Sequence, residues 1–162
     1  MPREEDRPVQ QSVLDRLIGA DTDGAGITRM QSVREMKASV RRDLEWLLNT
    51  RSIATPPPEP LKQVRDSVYT YGLGDITSFS ADDPKARVRL RHMIEEAIAR
   101  FEPRLTAVEV SEAGQLTKES RQLRFSIQAL LRMDPTPERI SFDTVLDIAS
   151  GQYAVKGESG AR

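Results

Sequence analysis

The sequence predicts an α+β fold in which a small antiparallel or mixed sheet of three to four strands, in the C-terminal half, packs against two long helices. Before Pro103, apolar residues recur every three or four positions, which is the spacing of a helix with one buried face. After Pro103 they recur at every second position, which is the spacing of half-buried strands. Helices followed by strands with short connections are typical of a sheet that helices cover on one face.

The first long helix is predicted from Ser32 to about Asn49. Its apolar residues form one stripe: Val33, Met36, Val40, Leu44, Leu47 and Leu48. Ser32 and Glu35 have the spacing of a capping box, in which a serine and an acid bond the free N–H groups of the first turn. The helix should end before SIATPPPEP (52–60), because the prolines there exclude regular structure and predict an exposed loop.

The second long helix is predicted from about Pro84, a residue suited to a first turn, to Phe101. Its buried face consists of Leu90, Ile94, Ala97, Ile98 and Phe101. Between the two helices, residues 61–67 can form two helical turns, and the glycines of YTYGLGD (69–75) indicate a turn of the backbone. These glycines match neither phosphate-binding loop motif.

Three strands and a short fourth are predicted after Pro103. In the first, Thr106, Val108 and Val110 alternate with Ala107 and Glu109. The second has its apolar side at Leu123, Phe125, Ile127, Ala129 and Leu131, and the third has Phe142, Thr144, Leu146 and Ile148 on one side. Residues 152–155 can add the fourth strand at an edge of the sheet.

A chain of 162 residues has the length of a single domain. We expect a tail with a short apolar docking motif at residues 1–30, one domain at 31–156 and a C-terminal tail at 157–162. The motif is VLDRLIG (13–19), which is too short to hold a helix alone. It is therefore expected to dock either on its own domain or on a partner.

The composition excludes several classes of function. A net charge of −1 gives no field that would attract nucleic acid or anionic lipid. The absence of cysteine excludes disulfides, thiolate nucleophiles and cysteine-ligated zinc. No segment reaches the ~20 apolar residues that span a bilayer, and the first ten residues lack the apolar stretch of a signal peptide, so a cytoplasmic location is expected.

No catalytic residue, metal or cofactor is predicted. The single histidine, His92, turns away from the apolar stripe of its helix, and no serine lies in a G-x-S-x-G motif. A glycosidase, however, needs only two carboxylates about 5 to 9.5 Å apart. Acidic residues are frequent around the end of the second helix: Glu95, Glu96, Glu102, Glu109 and Glu112. A muramidase-like peptidoglycan hydrolase therefore stays open as the alternative function.

The segment FEPRL (101–105) places an acid and a base on either side of a proline, where helix gives way to sheet. In an extended segment Glu102 and Arg104 point to the same side, and Pro103 lowers the entropy lost when a partner fixes them. One alternative is an intrachain ion pair, worth ~0–1 kcal/mol if exposed. The other is a partner-binding site, for which charge reversal at Arg104 should abolish binding and leave the isolated chain folded.

Four stretches resemble the TssE family, the baseplate wedge components of bacterial type VI secretion systems, which are similar to lysozyme-like wedge proteins of contractile phage tails. They are SVREMKASVRRDLEWLLNTR (32–51), DSVYTYGLGDI (66–76), FEPRL (101–105) and SFDTVLDIASGQYAV (141–155). The VLDRLIG segment is similar to the short N-terminal motif of that family, and it places Leu14 and Leu17 as partner-binding residues. The resemblance covers most of the chain between Val13 and Val155.

The resemblance implies a structural protein without catalytic residues or cofactor. The family's Glu-Pro-Arg motif falls on Glu102, Pro103 and Arg104, and in the family it faces the core bundle of the wedge subunits TssF and TssG, with TssK nearby. The resemblance also places the protein in the cytoplasm, at a baseplate docked on the inner-membrane secretion complex.

The same resemblance implies that the sheet templates the contractile sheath. In that family the sheet is similar to the interlocking part of the sheath subunits TssB and TssC. Strand addition at a sheet edge uses main-chain bonds for affinity and alternate side chains for register. The short strand with Gln152, Tyr153 and Val155 is the edge where we expect this contact.

Overall fold

The computed structural model describes residues 29–53, 55, 57–76, 79–114, 122–134 and 136–157. The helices are α1 (Arg29–Asn49), α2 (Lys62–Arg65) and α3 (Pro84–Phe101), with a 3-10 turn at Val68–Thr70. The strands are β1 (Leu105–Glu112), β2 (Gln122–Leu131), β3 (Glu138–Asp147) and β4 (Gln152–Lys156). The predicted α+β order is confirmed, and the docking motif with Leu14 and Leu17 lies outside the described residues.

Helix α1 has the predicted apolar stripe but begins earlier than predicted. Val40, Leu44, Leu47 and Leu48 are buried. The helix starts at Arg29, so Ser32 lies inside it and the predicted capping box is wrong. Arg29, Met30 and Gln31 all have high helix propensity, which allows the helix to extend past the position where the serine could have capped it.

The loop after α1 returns to the end of that helix. Arg51 forms a parallel bridge with Leu73, in which Ser52 N donates to Leu73 O and Leu73 N donates to Thr50 O, both at 2.8 Å. Gly72 makes this approach possible, because its φ of 108° is one that residues with a side chain rarely adopt. The glycine-containing turn predicted here is therefore the element that packs the loop against α1.

Helix α3 agrees with the prediction at both ends. The Asp83 side chain accepts a hydrogen bond from Lys85 N at 2.9 Å, and Pro84 occupies the first turn. Its buried residues are Ala86, Leu90, Ile94, Ala97 and Ile98. Phe101 is the last helical residue, as Pro103 requires. In the described part of the chain, no helix is long and apolar enough to cross a membrane.

The four strands form one antiparallel sheet in the order β1-β2-β3-β4, so β1 and β4 are its edges. The alternation predicted for β2 is confirmed, and β3 buries Ile140, Phe142, Thr144 and Leu146 on the same side of the sheet. Helix α1 packs mainly against β4 and α3 against β1. The core therefore lies between one face of the sheet and the two long helices.

Strand β1 departs from the alternation that its sequence predicts. Leu105 and Val110 are both buried although an odd number of positions separates them. The register with β2 shifts between Thr106 and Glu109, and Ala107 has a φ of 50°. A bulge thus takes up one residue, which bends the edge strand and reverses the facing of the residues that precede it.

Replacing Gly72 by alanine should destabilise the fold more than the same change at Gly114. Both residues have positive φ, but a Cβ at Gly72 would lie 2.3 Å from Thr50 O, whereas a Cβ at Gly114 would meet nothing within 4 Å. Backbone strain alone costs about 1–3 kcal/mol, and only Gly72→Ala adds a clash. Urea unfolding of both variants measures the difference. Equal losses of stability would contradict the packing described for the loop.

Replacing Tyr153 by phenylalanine should remove an alkaline loss of stability. Burial raises the pKa of the Tyr153 phenol, whose oxygen has no hydrogen-bond partner among the described residues. Below about pH 10 the phenol is neutral in folded and unfolded chains, and above it the unfolded chain ionises first. Between pH 8 and 11 the parent chain should therefore lose about 1 kcal/mol more than Tyr153→Phe in urea titrations. Parallel pH profiles would contradict this.

Candidate partner-binding site at the helix–sheet seam

The Glu102-Pro103-Arg104 segment forms a tight turn between α3 and β1. Glu102 N donates to Ile98 O at 2.9 Å, which is the last bond of the helix. Leu105 N then donates to Glu102 O at 3.1 Å, and Arg132 N donates to Arg104 O at 2.8 Å. The turn is thus bonded to the helix on one side and to the residue after β2 on the other.

The Glu102 and Arg104 side chains meet each other on the same side, as predicted, but they do so across a turn and not along the predicted extended segment. Arg104 Nε donates to Glu102 Oε1 at 2.7 Å, and Arg104 Nη2 donates to Glu102 Oε2 at 2.5 Å. Arg104 N also donates to Glu102 Oε1 at 3.2 Å. A planar guanidinium bound through both oxygens of a carboxylate is a strong and directional pair. Glu102 is buried, with 4% of its surface exposed.

The same guanidinium reaches across to α1. Arg104 Nη1 donates to Ser39 Oγ at 3.1 Å, and Nη2 donates to Asp43 Oδ2 at 2.5 Å. Arg42 also bonds both of these residues, through Nη2 to Ser39 Oγ and through Nε to Asp43 Oδ1, each at 3.3 Å. We call Ser39, Arg42, Asp43, Glu102 and Arg104 the seam cluster. It joins α1, the end of α3 and the start of β1.

The acids beside Arg104 favour the charged form of its guanidinium. Desolvation lowers the pKa of the Arg104 guanidinium, but the hydrogen bonds and charges of Glu102 and Asp43 outweigh it and raise the pKa above its ordinary value. Tyr71 lies near the same acids, and its pKa is raised by burial first and then by the charges of Asp43 and Glu102. Arg104 is therefore always positively charged, and its three side-chain partners hold the guanidinium in one orientation.

The predicted motif residues differ in what they expose. Glu102 is enclosed by its own chain, whereas the Arg104 side chain keeps 21% of its surface exposed and Pro103 is exposed. The intrachain ion pair is therefore present, and only Pro103 and the outer part of Arg104 can reach a partner. These contacts argue against the expectation that charge reversal at Arg104 leaves the isolated chain folded, because Glu102 would lose its counterion.

Sequence reasoning missed Ser39 and Asp43. They are four residues apart on α1 and therefore share a face of the helix beside the apolar stripe. This spacing of a serine and a short acid is the sequence signal of a polar contact on this face, and the structure shows that Ser39 is buried, with 5% of its surface exposed. Nothing in the sequence connects that signal to Arg104, which is more than sixty residues away.

The three predicted residues of β4 differ in where their side chains point. Tyr153 and Val155 bury their side chains in the core, and Gln152 is exposed. The Asn49 side chain bonds both backbone groups of Tyr153: Tyr153 N donates to Oδ1 at 2.9 Å, and Nδ2 donates to Tyr153 O at 2.8 Å. Asn49, the last residue of α1, was not predicted to have a role.

Comparison with known proteins places this geometry in a family. Residues 34–136 match the family model described as baseplate wedge protein gp25. The chain belongs to this family. The match extends from α1 through β2 and includes Glu102, Pro103 and Arg104. The match confirms the resemblance to baseplate wedge proteins that the sequence shows.

The comparison with solved structures also gives a match. A chain of the structure described as "The baseplate complex from the type VI secretion system" has a TM-score of 0.47 and 18% sequence identity, over 69% of this wedge protein and 94% of that chain. No curated protein matches the sequence.

Two of the acids around the end of α3, Glu102 and Glu95, are engaged in structural contacts. Arg104 bonds both oxygens of Glu102. To act as the general acid of a glycosidase, the Glu102 carboxyl would first have to break this ion pair. Glu95 Oε1 accepts from Val110 N at 2.9 Å, and Glu95 Oε2 lies 3.1 Å from His92 Nδ1. Among the described residues, no group of three or more His, Cys, Asp or Glu could hold a metal ion.

Removing the Arg104 side chain should destabilise the isolated wedge protein strongly. Arg104→Ala leaves the buried Glu102 carboxylate without a counterion, and breaking a buried pair in this way costs about 3–5 kcal/mol. Glu102→Gln combined with Arg104→Ala removes the charge that would be stranded and should recover part of the loss. Urea unfolding of the three proteins measures both effects. A loss below about 1 kcal/mol for Arg104→Ala would place the pair with exposed ion pairs.

Proposed function

We propose that this chain is a non-catalytic structural component of a type VI secretion baseplate. It binds the wedge subunits TssF and TssG through the Glu-Pro-Arg segment and serves as the template on which the sheath subunits TssB and TssC assemble. Membership in the gp25 wedge family supports a structural role in a baseplate. The four stretches that resemble TssE support the type VI setting, with TssK as a further neighbour.

The observation that carries the proposal is that Arg104 is immobilised by its own molecule and yet partly exposed. Three side chains of its own molecule bond it, yet a fifth of its side chain stays exposed beside the exposed Pro103. A cation that is already immobilised loses little side-chain entropy when a partner carboxylate or carbonyl contacts it. Glu102 then acts as a positioning residue, because it fixes Arg104 and is itself too buried to meet the partner.

The sheet supplies the second proposed contact. Strand β4 lies at one edge of an antiparallel sheet, and a free edge offers backbone donors and acceptors to an extended segment. In the proposed role, a segment of a sheath subunit pairs with this edge. Gln152 lies on the exposed side of β4, and Val155 can contribute its backbone to the pairing. The backbone groups of Tyr153 are already bonded by the Asn49 side chain, so Tyr153 marks this edge without pairing itself.

The remaining parts of the proposal concern location and the N-terminal motif. We place the chain in the cytoplasm, at a baseplate that is docked on the inner-membrane secretion complex. Leu14 and Leu17 are proposed to dock in a groove of a partner subunit as part of a short amphipathic segment. If this is correct, deleting residues 1–20 should weaken assembly and leave the domain folded.

Substitutions at Pro103 test the partner site without breaking the seam cluster. Pro103→Asp places an anion beside the exposed part of Arg104, and Pro103→Ala makes the same backbone change without a charge. Either change should cost the isolated chain less than about 1 kcal/mol. Co-purification with TssF and TssG should fall at least about tenfold for Pro103→Asp and stay near the parent level for Pro103→Ala. Normal co-purification of Pro103→Asp would contradict the proposed site.

The non-catalytic part of the proposal has its own test. The purified chain should not solubilise peptidoglycan, and Glu102→Gln should make no difference to that result. Turnover that the parent chain shows and a stably folded Glu102→Gln variant lacks would instead establish the muramidase-like alternative.

A further inference from the structure

The edge of β4 is closed at its first half. The N–H and C=O of Tyr153 both point away from β3, since both are bonded by the Asn49 carboxamide on the outer side of the strand. The remaining Nδ2 hydrogen of Asn49 has its own acceptor, Glu45 O at 2.8 Å, so the carboxamide is fully bonded. Asn49 therefore occupies the position that a residue of a pairing strand would take at Tyr153.

In the described part of the chain, nothing pairs with the second half of the same edge. In antiparallel pairs, successive residues direct their backbone groups alternately toward one neighbour and away from it. Val155, two residues after Tyr153, therefore also directs its N–H and C=O away from β3. Among the described residues, no side chain or backbone group bonds Val155 on that side. Gly157 is the next position of the same alternation, immediately after the end of β4.

The opposite edge of the sheet is less suited to pairing. On β1, the N–H of Val110 is bonded by the Glu95 carboxylate of α3. The bulge between Thr106 and Glu109 bends this strand, and bulges at an edge oppose the addition of a further strand. Helix α3 packs against β1 along the same element.

We propose that the edge beginning at Val155 is the place where a partner strand adds, and that Asn49 is the positioning residue that fixes where the pairing starts. The unsatisfied groups are backbone donors and acceptors, so the occupant is an extended segment of a partner chain. This inference rests on the proposed templating role of the β4 edge and adds to it the residue at which the pairing starts. An added strand pairs with Val155 and Gly157, and Asn49 prevents it from sliding toward Tyr153.

A matched pair of substitutions at Gly157 tests the open edge. A Cβ at Gly157 would meet nothing within 4 Å, and this residue has no positive φ, so Gly157→Ala fits the fold. Gly157→Pro follows the last residue of β4, and it removes no bond to β3 because the alternation directs the Gly157 N–H away from that strand. Only Gly157→Pro removes the N–H that the partner strand needs. The affinity for co-expressed TssB and TssC should fall about fivefold for Gly157→Pro, the factor for one net hydrogen bond, and should not change for Gly157→Ala.

The outcomes separate this inference from the proposed function. If the parent chain and Gly157→Ala both fail to capture sheath subunits, the templating role is contradicted. If both capture them and Gly157→Pro does so equally well, the templating role stands and the choice of the Val155 edge is overturned.

Hydrogen exchange of the free chain tests the role of Asn49 without any partner. The Tyr153 amide should exchange slowly in the parent chain and about fivefold faster or more in Asn49→Ala, whereas Val155 should exchange quickly in both. Thr50→Ala is the control, because Trp46 O, at 2.7 Å, is the one partner of the Thr50 hydroxyl among the described residues. Unchanged exchange of Tyr153 in Asn49→Ala, or slow exchange of Val155 in the parent, would overturn the inference.

Discussion

The structure depends on one ion pair at the place where helix gives way to sheet. Arg104 neutralises the buried Glu102 carboxylate and also bonds Ser39 and Asp43 of α1. A buried carboxylate needs such a partner, and the turn itself supplies it. The bonds from Arg104 to Ser39 and Asp43 then tie α1 to this turn, so one guanidinium neutralises Glu102, joins α1 to the start of β1 and remains partly exposed. A proline between the two charged residues keeps the turn from relaxing into other conformations.

Where local spacing alone determined the outcome, the sequence was sufficient. The ends of α3 follow from Asp83, Pro84 and Pro103, and the burial in β2 follows from strict alternation. The prediction was wrong where a second preference competed with the local pattern. Ser32 looked like a helix cap, but the good helix formers before it continued the helix. The bulge at Ala107 depends on the pairing with β2, which no local pattern of β1 reveals.

The candidate site was predicted as residues and not as contacts. The spacing of Glu102 and Arg104 correctly placed the two side chains together, yet it left open whether they serve the chain or a partner. The decision required Ser39 and Asp43, which approach Arg104 only after the chain folds. Asn49 was missed for the same reason, because its carboxamide acts on Tyr153, 104 residues later. Long-range polar contacts have no periodicity for a sequence pattern to detect.

The strand order of the sheet has a consequence for biosynthesis. Each strand pairs with the strand that precedes or follows it in the chain, so the sheet can grow as successive hairpins from β1 to β4. Strand β4 is synthesised after every other element described. The Asn49 carboxamide at the end of α1 can therefore bond Tyr153 only after β4 has been made. A chain that ends before β4 therefore presents β3, the longer strand, as the edge of its sheet.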